Sequence, residues 1–332
     1  MDEMLSNLGQ LFVIGYPGTE PPAPFLDFVQ EEQPGGVILF GDNCPTHATA
    51  RESIDLIRGL TAGVPPLIAI DQEGGRVCRL KGAPAEFKAP SDYGAREAVE
   101  HFREDYARSV VLMQSIGVNL NLAPVADIFL DPRNDCLDTR CFGTTPDIVS
   151  RFVRASVQVA KQHRSLCCLK HFPGLGAAHV DPHKAVATAD YDEIVWKQRE
   201  RLPFAAGVAD GADLIMTTHL SLPNVSGEIV TGSRDIISNW IRRELSFDGP
   251  VITDDLLMKG AEVLGNIGER TVAAFNAGHD LLLFGQEYER AIQAFDYFAD
   301  AVKRGEISST RLRSALDRVA GMKFRLDKQK VR

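Results

Sequence analysis

Long apolar runs are the first feature that the sequence lacks. Its 332 residues contain no stretch of about 18 consecutive apolar residues, the length that a membrane-spanning helix needs. The N-terminal segment carries acidic residues and is not followed by the apolar run of a signal peptide. We therefore expect a cytoplasmic protein without a leader and without a membrane partner.

A concentration of positive charge is also absent along the chain. The net charge is -9, and no basic patch stands out in the sequence. Binding to nucleic acid or to anionic lipid depends on clustered lysine and arginine. We therefore expect neither of them as a partner.

Closely spaced cysteine pairs are missing as well. None of the six cysteines belongs to a C-x-x-C pair; they are Cys44, Cys78, Cys136, Cys141, Cys167 and Cys168. In a chain of this length without a leader, this predicts reduced thiols rather than a disulfide framework. Cys167 and Cys168 lie in an apolar run, which indicates small buried side chains.

What the sequence does contain is a regular alternation of apolar runs and helix-like segments. Apolar residues make up 44% of the chain, and eight short runs read as strands: 11–16, 36–40, 66–71, 118–127, 167–172, 212–219, 250–255 and 280–284. Near-continuous apolar runs are typical of parallel strands that are buried on both faces. Eight strand–helix units predict an α/β protein with a single (β/α)8 TIM barrel over residues 1–332, including an outer helix at about 310–324.

A doubly wound open sheet is the structural alternative to a barrel. The sequence GYPG at 15–18 does not extend to the G-x-G-x-x-G pattern of dinucleotide-binding sheets. This favours the barrel.

Polar residues occur where the predicted strands end. Six of them lie at these C-terminal ends: Asp71, Asp127, Lys170, His171, His219 and Asp254. Barrel enzymes carry their catalytic residues at that end of the strands. Strand ends are also where polar residues normally resume, but six on at least five strands favour a functional site.

The segment 170–183, KHFPGLGAAHVDPH, is the richest in reactive side chains. Lys170 and His171 leave a strand together, and a Gly/Pro-containing loop then carries Asp181 and His183. A carboxylate two residues from an imidazole can orient it and raise its basicity, which suits proton transfer. An ordinary surface loop would explain Asp-x-His by itself; its position after Lys170 and His171 favours function.

Two further segments place carboxylates and arginines at strand ends. Asp254 and Asp255 close an apolar run, and because neighbours on a strand point to opposite sides, one is expected to face the barrel mouth. Either that residue is catalytic or both cap the backbone. In 70–79, Asp71 and Arg79 flank a Gly-Gly turn and can accept from and donate to hydroxyl groups, unless they form a salt bridge. Arg140 follows the strand of Asp127.

Taken together, these segments resemble glycoside hydrolase family 3, in particular its single-domain bacterial β-N-acetylglucosaminidase (β-hexosaminidase) group. The resemblance runs from GGVILF at 35–40 to AGHDLLLF at 277–284. Between them, IDQEGGRV, LAPVAD, RCFG, KHFPG, DPH and ITDDL occur in the family's order. So many motifs in register make a specific signal.

The resemblance implies a role for each matching residue. Asp254 would be the nucleophile, and His183 the acid/base with Asp181 as its partner. The residues expected to bind the sugar are Asp71, Arg79, Arg140, Lys170 and His171. The implied activity is retaining, metal- and cofactor-independent removal of terminal β-linked N-acetylglucosamine, from peptidoglycan fragments in the cytoplasm.

The sequence departs from the family in the loop that carries the acid/base. Leu175 stands where the family usually has His, Ala177 and Ala178 replace Asp-Thr, and Pro182 replaces Ser. These changes leave Asp181 and His183 in place. They keep open a β-glucosidase or β-xylosidase preference, or a catalytically weak sugar-binding barrel.

A metal-dependent barrel hydrolase using His171, His219 and Asp254 is a further alternative. Such sites commonly contain a closely spaced histidine pair, and the first predicted strands hold no histidine. The two tryptophans, Trp196 and Trp240, fall in predicted outer helices, so no aromatic platform for a long polysaccharide is expected. This favours a pocket for one terminal sugar.

Overall fold

The structure of the protein is a computed structural model that describes residues 5–178 and 186–328. Two predicted site residues, Asp181 and His183, therefore lie outside the described residues. The remaining predicted site residues are all described.

Eight parallel strands form the centre of the molecule, as predicted. In chain order they are β1 Phe12–Ile14, β2 Gly36–Leu39, β3 Leu67–Ile70, β4 Leu120–Asn121, β5 Leu166–Phe172, β6 Leu214–Thr217, β7 Val251–Ile252 and β8 Leu282–Phe284. Each lies within one residue of a predicted range or inside it. Consecutive strands pair in parallel from β1 through β7.

The sheet closes on itself. Strand β1 also pairs in parallel with β8, with Phe12 opposite Leu282. On the other side, a parallel bridge between Ile252 and Leu281 joins β7 to the start of β8. The (β/α)8 barrel is therefore confirmed, and the doubly wound open sheet is excluded.

Helices connect the strands around the outside of the barrel. The longer ones are α1 Ala23–Glu32, α2 His47–Gly59, α3 Val99–Ser115, α4 Pro146–Gln162, α5 Arg201–Asp210, α6 Ile236–Glu244, α7 Ile267–Ala277, α8 Tyr288–Lys303 and α9 Ser309–Lys328. Several begin at a residue whose side chain accepts a backbone amide of the first turn. At α2, for example, the Thr46 hydroxyl accepts the Thr49 amide at 3.1 Å.

Alternate residues of each strand supply two separate apolar layers. Val13 belongs to the cluster inside the barrel, whereas its neighbours Phe12 and Ile14 pack against the surrounding helices. This is the period of two that a pleated strand imposes. The barrel interior is a packed core, so a ligand has to bind at one of its ends.

Helix α9 covers the N-terminal end of the barrel. Val319 and Met322 join the interior apolar cluster. Close by, the Lys323 Nζ donates to the Gln10 Oε1 at 2.8 Å, next to the start of β1. The opposite end, where the strands finish, carries those predicted site residues that the structure describes.

Two expectations about the chain as a whole can be compared with the structure. No described helix has both the length and the apolar character needed to cross a bilayer. All six cysteines are free, and Cys167 and Cys168 are buried, as expected.

Candidate active site

A cavity of about 520 Å³ opens at the C-terminal end of the barrel. Six of the predicted site residues line it: Asp71, Arg79, Arg140, Lys170, His171 and Asp254. They come from the ends of β3, β5 and β7 and from the loops after β3 and β4. The closed barrel thus brings together residues that lie up to 183 positions apart in the sequence.

Lys170 lies at the centre of an ionic network. Its Nζ is 2.7 Å from the Asp71 Oδ1 and 2.6 Å from the Glu73 Oε1, and the lysine side chain is only 3% exposed. Burial lowers the pKa of Lys170, but the two carboxylates outweigh burial and hold it above its usual value. Lys170 is therefore a fixed cation, and two of its three N–H groups are already used.

Arg140 binds Glu73 through two parallel hydrogen bonds. Arg140 Nε donates to one oxygen of Glu73 at 2.7 Å, and Nη2 donates to the other at 2.8 Å. The remaining donors are directed at Cys136 O, Cys136 Sγ and His171 Nε2. All five N–H positions of Arg140 thus have acceptors within the protein.

Glu73 is the carboxylate that joins these two cations. Its side chain is 1% exposed. Burial raises its pKa, but Arg140 and Lys170 outweigh burial and hold the pKa of Glu73 well below its usual value. Glu73 is ionised at neutral pH, and its negative charge helps to balance the buried positive charges of Lys170 and Arg140.

The protonation of His171 follows from its partners. Its Nε2 faces the Arg140 Nη2 at 3.2 Å, and because a guanidinium can only donate, Nε2 has to accept. The proton is therefore assigned to Nδ1, which lies 2.6 Å from Asp127 Oδ2. Asp127 also accepts the amides of His171 and Leu175, which fixes the start of the following loop.

Asp71 and Arg79 lie toward the open part of the cavity. The Asp71 Oδ2 is 3.5 Å from the Arg79 Nη2, and their side chains are 15% and 30% exposed. Burial raises the pKa of Asp71, but Lys170 and Arg79 outweigh it and hold the value below the usual one. Asp71 and Arg79 can form this salt bridge and still bind a ligand, because both side chains remain partly exposed to the cavity.

The adjacent acids after β7 have different surroundings. Asp255 Oδ1 accepts the amides of Leu257 and Gly285, both at 2.9 Å, so it stabilises the backbone. Asp254 lines the cavity, and its Oδ1 accepts the amide of Asp255 at 2.8 Å. Asp255 lines the cavity as well, so the two acids differ in their hydrogen bonds and not in their access to the cavity.

His219 does not belong to the residues that line the cavity. It is fully buried, and its ring nitrogens lie 2.7 Å from Thr231 Oγ1 and 2.9 Å from the carbonyl oxygen of Asp255. It supports the turn that carries Asp254 and Asp255. Among the described residues, no group of three or more His, Cys, Asp and Glu side chains is arranged to hold a metal ion.

The loop that is expected to carry the acid/base is described up to Ala178. Leu175 is 1% exposed and lines the cavity, so the position where the family usually has histidine presents an apolar side chain. The proposed dyad of Asp181 and His183 lies outside the described residues. Its placement stays a prediction.

Glu73 is the site residue that sequence reasoning missed. A signal was present, because Glu73 lies two residues after Asp71, and side chains two apart share one face of an extended chain. The turn that follows allows this placement. Gly74 and Gly75 have φ values of 101° and 58°, and a Cβ on Gly75 would lie 2.7 Å from the Cβ of Ala89.

The chain matches the glycosyl hydrolase family 3 N terminal domain over residues 4–322. Beta-hexosaminidase A of Pseudoalteromonas piscicida is 31% identical to this chain. The match extends over 340 residues and covers 93% of this chain and 56% of that protein. A beta-hexosaminidase of Stenotrophomonas maltophilia is 33% identical and is matched over 82% of both chains. The chain thus spans little more than half of the first relative and most of the second.

Solved structures share the fold. A glycoside hydrolase family 3 beta-N-acetylglucosaminidase from Paenibacillus sp. superposes with a TM-score of 0.93 at 31% identity, over 97% of this chain and 62% of that one. A beta-N-acetylhexosaminidase from Beutenbergia cavernae gives 0.88 at 26% identity, over 96% of this chain and 98% of that one.

The substitution Glu73→Gln should destabilise the fold in a pH-dependent way. It leaves Lys170 and Arg140 buried with too little negative charge, a loss of about 3 kcal/mol at neutral pH. Because the folded-state pKa of Glu73 is lowered, its contribution is complete above its ordinary pKa and declines as the pH falls below that value. The difference in unfolding free energy between wild type and variant should therefore shrink from pH 7 to pH 3, measured by denaturant titration.

The matched control is Glu52→Gln, at an exposed glutamate of α2. It should change the unfolding free energy by no more than about 0.5 kcal/mol at either pH. A Glu73→Gln effect that is equally large at both pH values would contradict the assigned ionisation of Glu73.

Proposed function

The chain belongs to glycosyl hydrolase family 3, and from this membership we propose that it is a retaining exo-glycosidase for terminal β-linked N-acetylglucosamine. The observation that carries the proposal is one cavity lined by both Asp254 and the network of Asp71, Lys170 and Glu73. The names of the relatives, beta-hexosaminidase and beta-N-acetylglucosaminidase, suggest the sugar.

Sugar hydroxyls would bind at the open side of the ionic network. Asp71 can accept from hydroxyls, while Arg79 and the remaining N–H of Lys170 can donate. A sugar that lacks a matching group would leave a buried donor or acceptor unpaired, at about 1–3 kcal/mol for each. Such a site discriminates strongly between sugars.

In this proposal, Arg140 and His171 do not bind the sugar directly but hold the residues that do. The donors of Arg140 are used by Glu73, Cys136 and His171. Arg140 therefore holds Glu73, and Glu73 holds the Lys170 ammonium in place. His171 accepts a hydrogen bond from Arg140 and links it to Asp127.

The proposed chemistry proceeds in two displacements. An oxygen of Asp254 attacks the anomeric carbon as the glycosidic bond breaks, and the leaving oxygen takes a proton from His183. Asp181 would hold the imidazole and stabilise its cationic form. The imidazole then removes a proton from water, which attacks the anomeric carbon and releases Asp254, so the configuration is retained.

The natural substrate and the cellular location belong to the same proposal. We infer peptidoglycan fragments as the source of the sugar and the cytoplasm as the place of reaction. The apolar Leu175 in the cavity wall favours a second candidate, a β-glucosidase or β-xylosidase preference, because it offers no hydrogen bond to an acetamido group.

A panel of aryl glycosides tests the sugar. The expected kcat/KM on the aryl β-N-acetylglucosaminide exceeds that on the β-glucoside and the β-xyloside by about 100-fold or more, because unmatched buried polar groups penalise the wrong sugar. Initial rates across the panel provide the measurement.

Other outcomes of the panel identify the alternatives. Faster turnover of the glucoside or xyloside overturns the sugar assignment, and binding of all sugars without turnover indicates a sugar-binding barrel. Activity that is lost on EDTA treatment and restored by zinc indicates the metal-dependent alternative.

Asp254 should carry the covalent intermediate. A slow fluorinated glycoside should label the peptide that contains Asp254, and Asp254→Asn should lower kcat by about 1,000-fold or more because the nucleophile is removed. Mass spectrometry locates the label. The control Asp248→Asn, at an exposed residue before β7, should leave kcat unchanged. Label on Asp255 would refute the assignment.

His183→Ala should harm substrates with poor leaving groups most. An aryl group of low pKa departs without a proton, so its first step depends less on an acid. Asp181→Asn should show the same trend more mildly, since it removes orientation but not the proton donor. The measurement is kcat/KM against leaving-group pKa; parallel losses for all leaving groups, with the first step rate-limiting, would exclude the acid role.

A further inference from the structure

The end of the barrel opposite the proposed active site holds a buried carboxylate that is surrounded by arginines. Asp280, just before β8, is fully buried. Its Oδ2 accepts from Arg242 Nη2 at 2.6 Å and from the Val251 amide at 3.1 Å. Its Oδ1 accepts from Arg311 Nη1 at 3.1 Å and from Arg318 Nη1 at 3.3 Å. Four donors fill the capacity of one carboxylate.

More arginine donors are present here than Asp280 can accept. Arg318 is 30% exposed; its Nη1 also donates to Ser314, whereas its Nε and Nη2 have no hydrogen bond to a described residue. The side chain of Arg234 is exposed and forms no hydrogen bond or ion pair with any residue that the structure describes. These groups are available to a ligand.

The two residues with unused donors, Arg234 and Arg318, both line a cavity of about 360 Å³. Arg242 and Arg311 line it too, but their guanidinium groups donate mainly to Asp280 and to backbone carbonyl oxygens. Arg234, Arg242, Arg311 and Arg318, called the arginine cluster below, all line it. Of the described residues in its wall, Glu306 alone is acidic, and its carboxylate lies 2.6 Å from Arg304. The first turn of α9 contributes as well, where the helix dipole is positive.

We propose that the arginine cluster binds a phosphate-type dianion, either inorganic phosphate or a phosphate monoester. Planar guanidinium groups match phosphate oxygens through paired hydrogen bonds, which a lysine cluster does not achieve. The site is concave and small, and the chain as a whole is strongly acidic, which suits a small anion better than a polyanion such as nucleic acid. This proposal does not depend on the proposed glycosidase activity.

The electrostatics of the buried arginines agree with an excess of positive charge. Burial lowers the pKa of Arg242 and of Arg311, and although Asp280 opposes this, Arg318 lowers both further. Burial also lowers the pKa of His279 to about 3, with Arg311 and Arg242 adding to the shift. A bound dianion would relieve the repulsion between these groups.

Fixing α9 to the barrel is the structural role that these residues would have without a ligand. Arg311 and Arg318 extend from α9 to Asp280, and Arg242 holds Asp280 from α6. Arg234 makes none of these contacts, so the structural role gives no reason for its position in the wall. It is the residue at which the two explanations differ.

The test is a titration of the whole protein with inorganic phosphate at pH 7.5, with ionic strength held constant by potassium chloride. We expect saturable binding by calorimetry, with a Kd of about 1 mM or tighter, and a matching rise in Tm. Arg234→Ala, alone and combined with Arg318→Ala, should weaken binding by about ten-fold or more. The control Arg243→Ala removes an exposed arginine of α6 that does not line the cavity, and should change Kd by less than about two-fold.

A hexose 6-phosphate in the same titration identifies the source of the phosphate group. Tighter binding than inorganic phosphate assigns the cavity to a phosphate monoester, and equal or weaker binding assigns it to free phosphate. The proposal is overturned if phosphate does not bind, if Arg234→Ala leaves Kd unchanged, or if Arg243→Ala weakens binding as much. Because the Arg234 side chain is exposed and forms no hydrogen bond or ion pair with a described residue, its variant should fold, and circular dichroism checks this.

Discussion

The buried ammonium of Lys170 links the two carboxylates that leave β3, and the wall of the cavity depends on that link. Asp71 and Glu73 both lie within 2.7 Å of Nζ, and without the lysine they would be two like charges in a region of low polarity. Glu73 in turn holds Arg140, whose guanidinium reaches His171.

The barrel could be predicted from the sequence because its strands are buried on both faces and therefore appear as apolar runs. The strand lengths were less predictable. The range 118–127 was predicted as one strand, but the structure has only Leu120–Asn121. Backbone hydrogen bonds to the neighbouring strands continue at Leu122 and Ala126, but Pro124 between them has no amide hydrogen, and pairing is reduced to a bridge between Val125 and Lys170. The apolar character of these residues indicates burial without showing where regular pairing stops.

The site was predictable where a residue's role follows from its strand end, and less so where it depends on a partner far along the chain. Asp254 follows β7 and lines the cavity as expected, although its neighbour Asp255 lines the cavity as well. The role of Glu73 depends on its ion pair with Arg140, which is 67 residues away in the sequence. The arginine cluster is a stronger case, because arginines from α6 and α9 meet in space while the sequence contains no basic patch.

Both ends of the barrel contain buried ion pairs between carboxylates and cations, but the net charge differs between the two ends. Around the larger cavity, five carboxylates face four cations, so the charges nearly cancel. An uncharged sugar brings no charge of its own, and a cavity that binds it has to balance its ions internally, since unpaired buried charges are costly. Around the smaller cavity, four arginines and Glu306 line the wall, and Asp280 lies beneath them with its oxygens fully used. The smaller cavity therefore keeps a net positive charge, which a bound anion would neutralise.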